Sequence, residues 1–225
     1  MKFRKEAPGG KDYGDPMHVN AEAILKKKTE AILTARPKEA DFVGKPYSRF
    51  EIEQDIVRIA QHRSHHKAHE TQRSRENKKL ADIFEAVVIL GISRANWLGE
   101  EVSAQNTAYY DDFQNDVDIL LEFKKSSKDR YLGLAADVTF SSDIKVLQRK
   151  FVTLEEKIRK GTLTEIKYVH PGQDGPLSMV PEVIVGVSAS MVRELADLLT
   201  KDKMMALEQH PASVLLLLQA RAQLD

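Results

Sequence analysis

From Leu80 onward, apolar residues recur at three- and four-residue steps. Ile83, Phe84, Val87, Val88, Gly91, Ala95 and Leu98 predict one amphipathic helix. Strands are then expected over residues 102–110, 117–123 and 131–140. In the second of these, Ile119, Leu121 and Phe123 share one face, and Asp118, Leu120 and Glu122 the other. In the third, Leu132, Leu134, Ala136 and Val138 face Tyr131, Gly133, Ala135, Asp137 and Thr139 across the pleat, which predicts a central strand buried on both sides. A turn falls at residues 126–129. Ser142 suits the N-cap of a helix whose stripe is Ile144, Leu147, Phe151, Leu154 and Ile158, with Gly161 as its stop. Further strands are expected over residues 163–169 and 183–187, and terminal helices over residues 189–199 and 214–224.

The first part of the chain is patterned differently. Residues 1–19 are rich in Gly, Pro, Lys and Asp and read as a mobile tail. Asn20 is placed to cap a helix carrying Ile24, Leu25, Ile32 and Leu33, ended by Pro37. Ser48 and Glu51 make a capping box for a second helix. Its stripe of Phe50, Ile52, Ile56 and Ile59 fades after Ala60. Residues 61–77 are almost wholly polar, as in a solvent-bridging, partner-binding or partly helical segment. The division expected is a tail over 1–19, a basic helical extension over 20–79, and an α/β domain over 80–225.

Composition narrows the chemistry. The 225 residues contain no cysteine, which excludes disulfides, zinc–thiolate sites and thiol nucleophiles. The opening residues show no secretory h-region and no apolar run is long enough to span a bilayer, so a soluble cytoplasmic protein is expected. Net charge is zero, yet Arg58, Arg63, Lys67, Arg73, Arg75, Lys78 and Lys79 crowd a stretch whose only acids are Glu70 and Glu76. Such a patch is either a solvated helix face or a local phosphate-binding surface. His62, His66 and His69 fall near one helical face. Arg63 and Lys67 between them favour a phosphate-facing or solvated role over a transition-metal site.

Three carboxylates stand in apolar surroundings. Glu85 is the only charge in FEAVVILGI, and it either has a buried partner or lies at the stripe margin and points to water. Asp118 lies at the start of a strand, where Asp is depleted. Asp137 closes the apolar run LGLAADVTF, with small Gly133 and Ala135 on its own face. It is either a ligand or a cap for the next element, although Ser142 already supplies a cap. Two acids from adjacent strands and one from a packed helix can converge, and such hard oxygen ligands suit Mg²⁺ or Mn²⁺.

The pieces FEAVV around Glu85, NDVD around Asp118 and ADVT around Asp137 resemble the PD-(D/E)XK phosphodiesterase superfamily over residues 80–187. The resemblance implies a restriction-endonuclease-like αβββαβ core, a mixed central sheet flanked by helices. It also implies a metal-dependent nuclease acting on nucleic acid, DNA rather than RNA. Asp118 and Asp137, with the Val138 carbonyl, would hold the metal, and Glu85 would assist. The family's lysine is replaced by Thr139, and Lys145, just into the next helix, is the expected substitute, with Lys124 second. The same departure leaves open a protein that keeps this fold without catalysis and acts as a nucleic-acid-binding or protein-interaction module. A third reading is an assembly protein that forms a homodimer through residues 20–79.

Overall fold

The computed structural model describes residues 16–124, 131–139, 144–171 and 174–224. The tail expected over 1–19 lies outside them as far as residue 15, as do the 126–129 turn and the Ser142 cap. From Pro16 the chain is already helical: α1 spans Pro16–Leu33. Asn20 therefore sits inside the helix instead of capping it. Proline, with its fixed φ and no N–H to lose, suits a first turn.

A short 3-10 turn, Glu39–Phe42, leads to α2, Arg49–Ala68, which opens on the expected Ser48–Glu51 capping box. The polar stretch is helical except for one break at residues 69–71. At Thr71 a second capping box, made with Ser74, starts α3, Gln72–Ser93. This helix begins eight residues before Leu80 and carries the polar arm into the core without interruption.

Next come β1 (Val102–Asn106), α4 (Tyr109–Asn115), β2 (Ile119–Lys124) and β3 (Tyr131–Thr139). After these follow α5 (Ile144–Lys160), β4 (Thr164–Ile166), β5 (Leu177–Val180) and β6 (Glu182–Gly186). Helices α6 (Ala189–Thr200), α7 (Met204–Glu208) and α8 (Ala212–Leu224) close the described chain. The main sheet runs β1-β2-β3-β6. Its first three strands are antiparallel, and β6 is parallel to β3. This is the expected α/β architecture: an αβββαβ order, a mixed central sheet flanked by helices, and helices ahead of it. The strand expected over residues 163–169 is β4, shortened to three residues; its partner β5 and helix α4 are elements that the hydrophobic pattern did not predict.

Strand β3 is covered on both faces, as its two-sided apolar pattern requires. Leu134, Ala136 and Val138 pack into the larger core with Phe84, Val87 and Val88 of α3 and Val192 and Leu195 of α6. Ala135 packs on the other side with Leu120, Ile166 and Val180. At the far end of α3, a Cβ on Gly91 would lie 2.5 Å from the Trp97 ring, whose Nε1 donates to the Leu207 carbonyl at 2.7 Å. Gly91→Ala is therefore expected to cost between about 1 and 2 kcal/mol by overpacking, read as a lower urea midpoint at unchanged slope.

Side chains engage both rims of the sheet at particular residues. At β6, Gln223 brackets the Ile184 N–H and carbonyl, and Gln219 does the same for Gly186. At β1, the Ser93 hydroxyl donates to the Ala104 carbonyl and accepts its N–H. No described helix is long and apolar enough to cross a membrane.

The face of α5 differs from expectation. Phe151 and Ile158 are about half exposed, while Leu154 is buried. The inward stripe is instead Leu147, Lys150, Leu154 and Lys157, spaced by three, four and three residues.

Candidate functional site

The site forms where the N-terminal helices meet the sheet. Pairing of Ile119 with Ala136 puts Asp118 opposite Asp137 one step further on, and the Asp118 N–H still donates to the Ala136 carbonyl. Asp118 Oδ2 accepts the Val138 N–H at 2.7 Å. From the other side α3 brings Glu85, whose Oε1 accepts from Asn106 Nδ2 at 2.7 Å and from the Arg36 guanidinium at 3.3 Å. Arg36, in the turn after α1, also holds Asp112 at 2.9 Å and is buried itself. The helices ahead of the sheet thus place a cation in the floor of the site.

The second strand acid is engaged by a lysine. Lys150 Nζ donates to both Asp137 oxygens, at 2.7 and 2.6 Å. Lys145, the expected substitute for the family lysine, lies exposed nearer the start of α5. The cation at Asp137 comes from the helix that was expected to provide it, but from a position more than a turn later. The signal was its place on the Leu147–Leu154 stripe: a lysine can bury its stem against a sheet while its ammonium meets an acid. The side chain of Lys124, the other candidate, lies outside the described residues.

Burial pushes these carboxyls up. Glu85 is raised to about 7 by desolvation, with Arg36 opposing. Asp118 is held well above its ordinary range by desolvation and then by the charges of Glu85 and Asp137. Asp137 is raised by burial against the pull of Lys150. The strand register sets Asp118 opposite Asp137, and Asp118 and Glu85 line one cleft. They do not present themselves as one ligand set, however. Asp137 is taken by Lys150 and Glu85 by Arg36 and Asn106. Among the described residues no group of three or more His, Asp or Glu is arranged to hold a metal ion. In this arrangement the residues do not fit the implied Mg²⁺ or Mn²⁺.

Glu85, Asp118 and Val138 form the floor of a cleft of about 930 Å³, and one of its walls is α2. That wall carries Arg63, Lys67 and the four histidines, while Lys78 and Asp82 of α3 close the end. The other basic candidates lie elsewhere: Arg58 pairs with Asp55, Arg75 with Glu70 and Lys79 with Glu22, and Arg73 is exposed. The imidazoles pack on each other and on α4. His62 stacks on Phe113 at 4.7 Å, and His62–His66 and His65–His69 are each 4.5 Å apart.

Two buried acids fix this wall, and the sequence pattern marked neither. Asp55 of α2 accepts from Lys167 Nζ at 2.5 Å and from the Tyr168 hydroxyl at 2.7 Å. Asp111 of α4, fully buried and raised to about 6 by desolvation, accepts the N–H groups of Lys167 and Tyr168 and the Asn115 amide. α2 and α4 are thereby bonded to the segment after β4. No family model, no curated protein and no solved structure matches the chain.

Proposed function

We propose that this chain is a nuclease-fold protein of the PD-(D/E)XK kind that binds nucleic acid without cutting it. The observation that carries the reading is the state of Asp137. Hydrolysis in that superfamily requires both strand acids open to one cation, which polarises the phosphate and activates water. Here both oxygens of Asp137 are occupied by Lys150, and Thr139 stands where the family places its lysine. What the cleft offers instead is a basic strip on α2: Arg63 and Lys67 face a recess that Glu30, Glu70 and the Lys78–Asp82 pair also border, and these two cations can take phosphates without reading sequence.

Binding is expected to weaken as salt rises, because each neutralised phosphate releases counterions. Arg63→Ala and Lys67→Ala should each weaken binding to every sequence alike and reduce the salt slope by about one. Fluorescence anisotropy across a salt series checks this, and a gel assay with magnesium and with manganese should show intact nucleic acid. Metal-dependent cleavage that disappears in Asp118→Asn would overturn the non-cutting reading.

That outcome would establish the second reading, a metal-dependent nuclease. One observation favours it: the strand register sets Asp118 opposite Asp137, and Asp118 is held up by burial first and then by the charges of Glu85, Asp137 and Asp112, a repulsion that a divalent cation would relieve. It requires Lys150 to leave Asp137. Calorimetry with either metal, on the wild type and on Asp137→Ala, separates the two readings.

A further inference from the structure

The cleft wall has a property that simple phosphate binding does not use. Its cations are interleaved with flat side chains that already stack on one another. The Arg63 guanidinium lies 3.7 Å over the exposed Tyr109 ring. His62 stacks on Phe113, and His66 lies against His62. All five residues border the same recess, with Lys67 beside them, the Lys78–Asp82 pair at its end, and Glu30, Glu70 and Asp112 also in its lining.

We propose that this cleft takes single-stranded nucleic acid, with unpaired bases against the planar groups of its wall, and discriminates against the intact duplex. The inference rests on the nucleic-acid reading above. Its first support is chemical. In a duplex the base faces are covered by neighbouring bases, so imidazole, phenol and guanidinium planes gain stacking energy only from bases that are unpaired. Its second support is shape. Duplex DNA is read by an element that projects from the protein into a groove about 12 Å wide. Here the planar groups line a concavity instead. Its 930 Å³ lies at the upper end of the range for small-molecule pockets, roughly 300 to 1,000 Å³.

The test uses the full chain in EDTA, so that cleavage plays no part. A fluorescent single strand of about 16 nucleotides, within the site sizes of single-strand binders, is compared by anisotropy with its own blunt duplex. The single strand should bind at least about ten-fold more tightly, the equivalent of stacking one base. His66→Ala is a substitution at an exposed position that leaves the core intact. It should weaken the single strand several-fold and leave the duplex nearly unchanged. Equal affinity, a preference for the duplex, or equal losses on both probes would overturn the inference while the nucleic-acid reading stands. No binding of either probe would remove both.

Discussion

Replacing Lys150 with methionine is expected to destabilise the protein by about 3 kcal/mol at pH 8 and by little at pH 5. Asp137 is almost wholly buried, and both of its oxygens depend on the one ammonium. Removing one partner of such a pair leaves a carboxylate in low dielectric, which costs roughly 3 to 5 kcal/mol. The lower figure applies because Lys150 keeps about a third of its exposure. The pH dependence follows from sign. Burial already holds the Asp137 carboxyl above its ordinary value, and Lys150 opposes that. Without the lysine it rises further. A carboxyl that holds its proton more tightly when folded favours the folded state at low pH, and that advantage is lost as pH climbs through its folded value. Urea denaturation at the two pH values measures the effect, and adding Asp137→Asn should recover most of it. Equal stability of Lys150→Met and wild type at pH 8 would show that the pair holds nothing together.

The second large effect concerns the whole acidic floor. Stability should fall between about pH 5 and pH 8. Glu85 is raised to about 7 and Asp111 to about 6, both chiefly by desolvation, and Asp118 is raised further by its neighbours. Each gives the folded state an advantage that is complete below the ordinary carboxyl range and disappears as these groups ionise. Glu85 alone contributes on the order of 3 kcal/mol. Asp118→Asn removes the repulsive centre of the group. It should raise the urea midpoint at pH 8 and leave it nearly unchanged at pH 5. A wild-type midpoint that climbs steadily up to pH 8 would contradict this account.

The parts legible in the sequence were those in which one pattern decides one element. β2, β3 and β6 fell within one or two residues of the alternating runs, because strand pattern and burial agree there. The neighbourhood of Glu85, Asp118 and Asp137 was also legible, since isolated acids in apolar runs demand an explanation. The failures share a cause. The α5 stripe was drawn through Phe151 and Ile158, yet the face on the sheet carries Lys150 and Lys157, which meet Asp137 and Glu182. An ion pair across the core looks like surface when only one partner is in view. Arg36 escaped for the same reason, because its partners Glu85 and Asp112 are 49 and 76 residues away. α4 was hidden because Asp111, polar in sequence, is its inward anchor. The break before α3 carries no Gly or Pro, only the Thr71–Ser74 box.

The side chains that bracket Ala104, Ile184 and Gly186 bear on how copies of this chain meet in a crowded solution. A sheet grows by recruiting a stranger's backbone to vacant donors and acceptors along its margin. Here serine and glutamine occupy those positions on both margins in advance. A neighbouring chain finds no template to add to at these points, and the protein is protected there against fibre-like stacking through its central sheet.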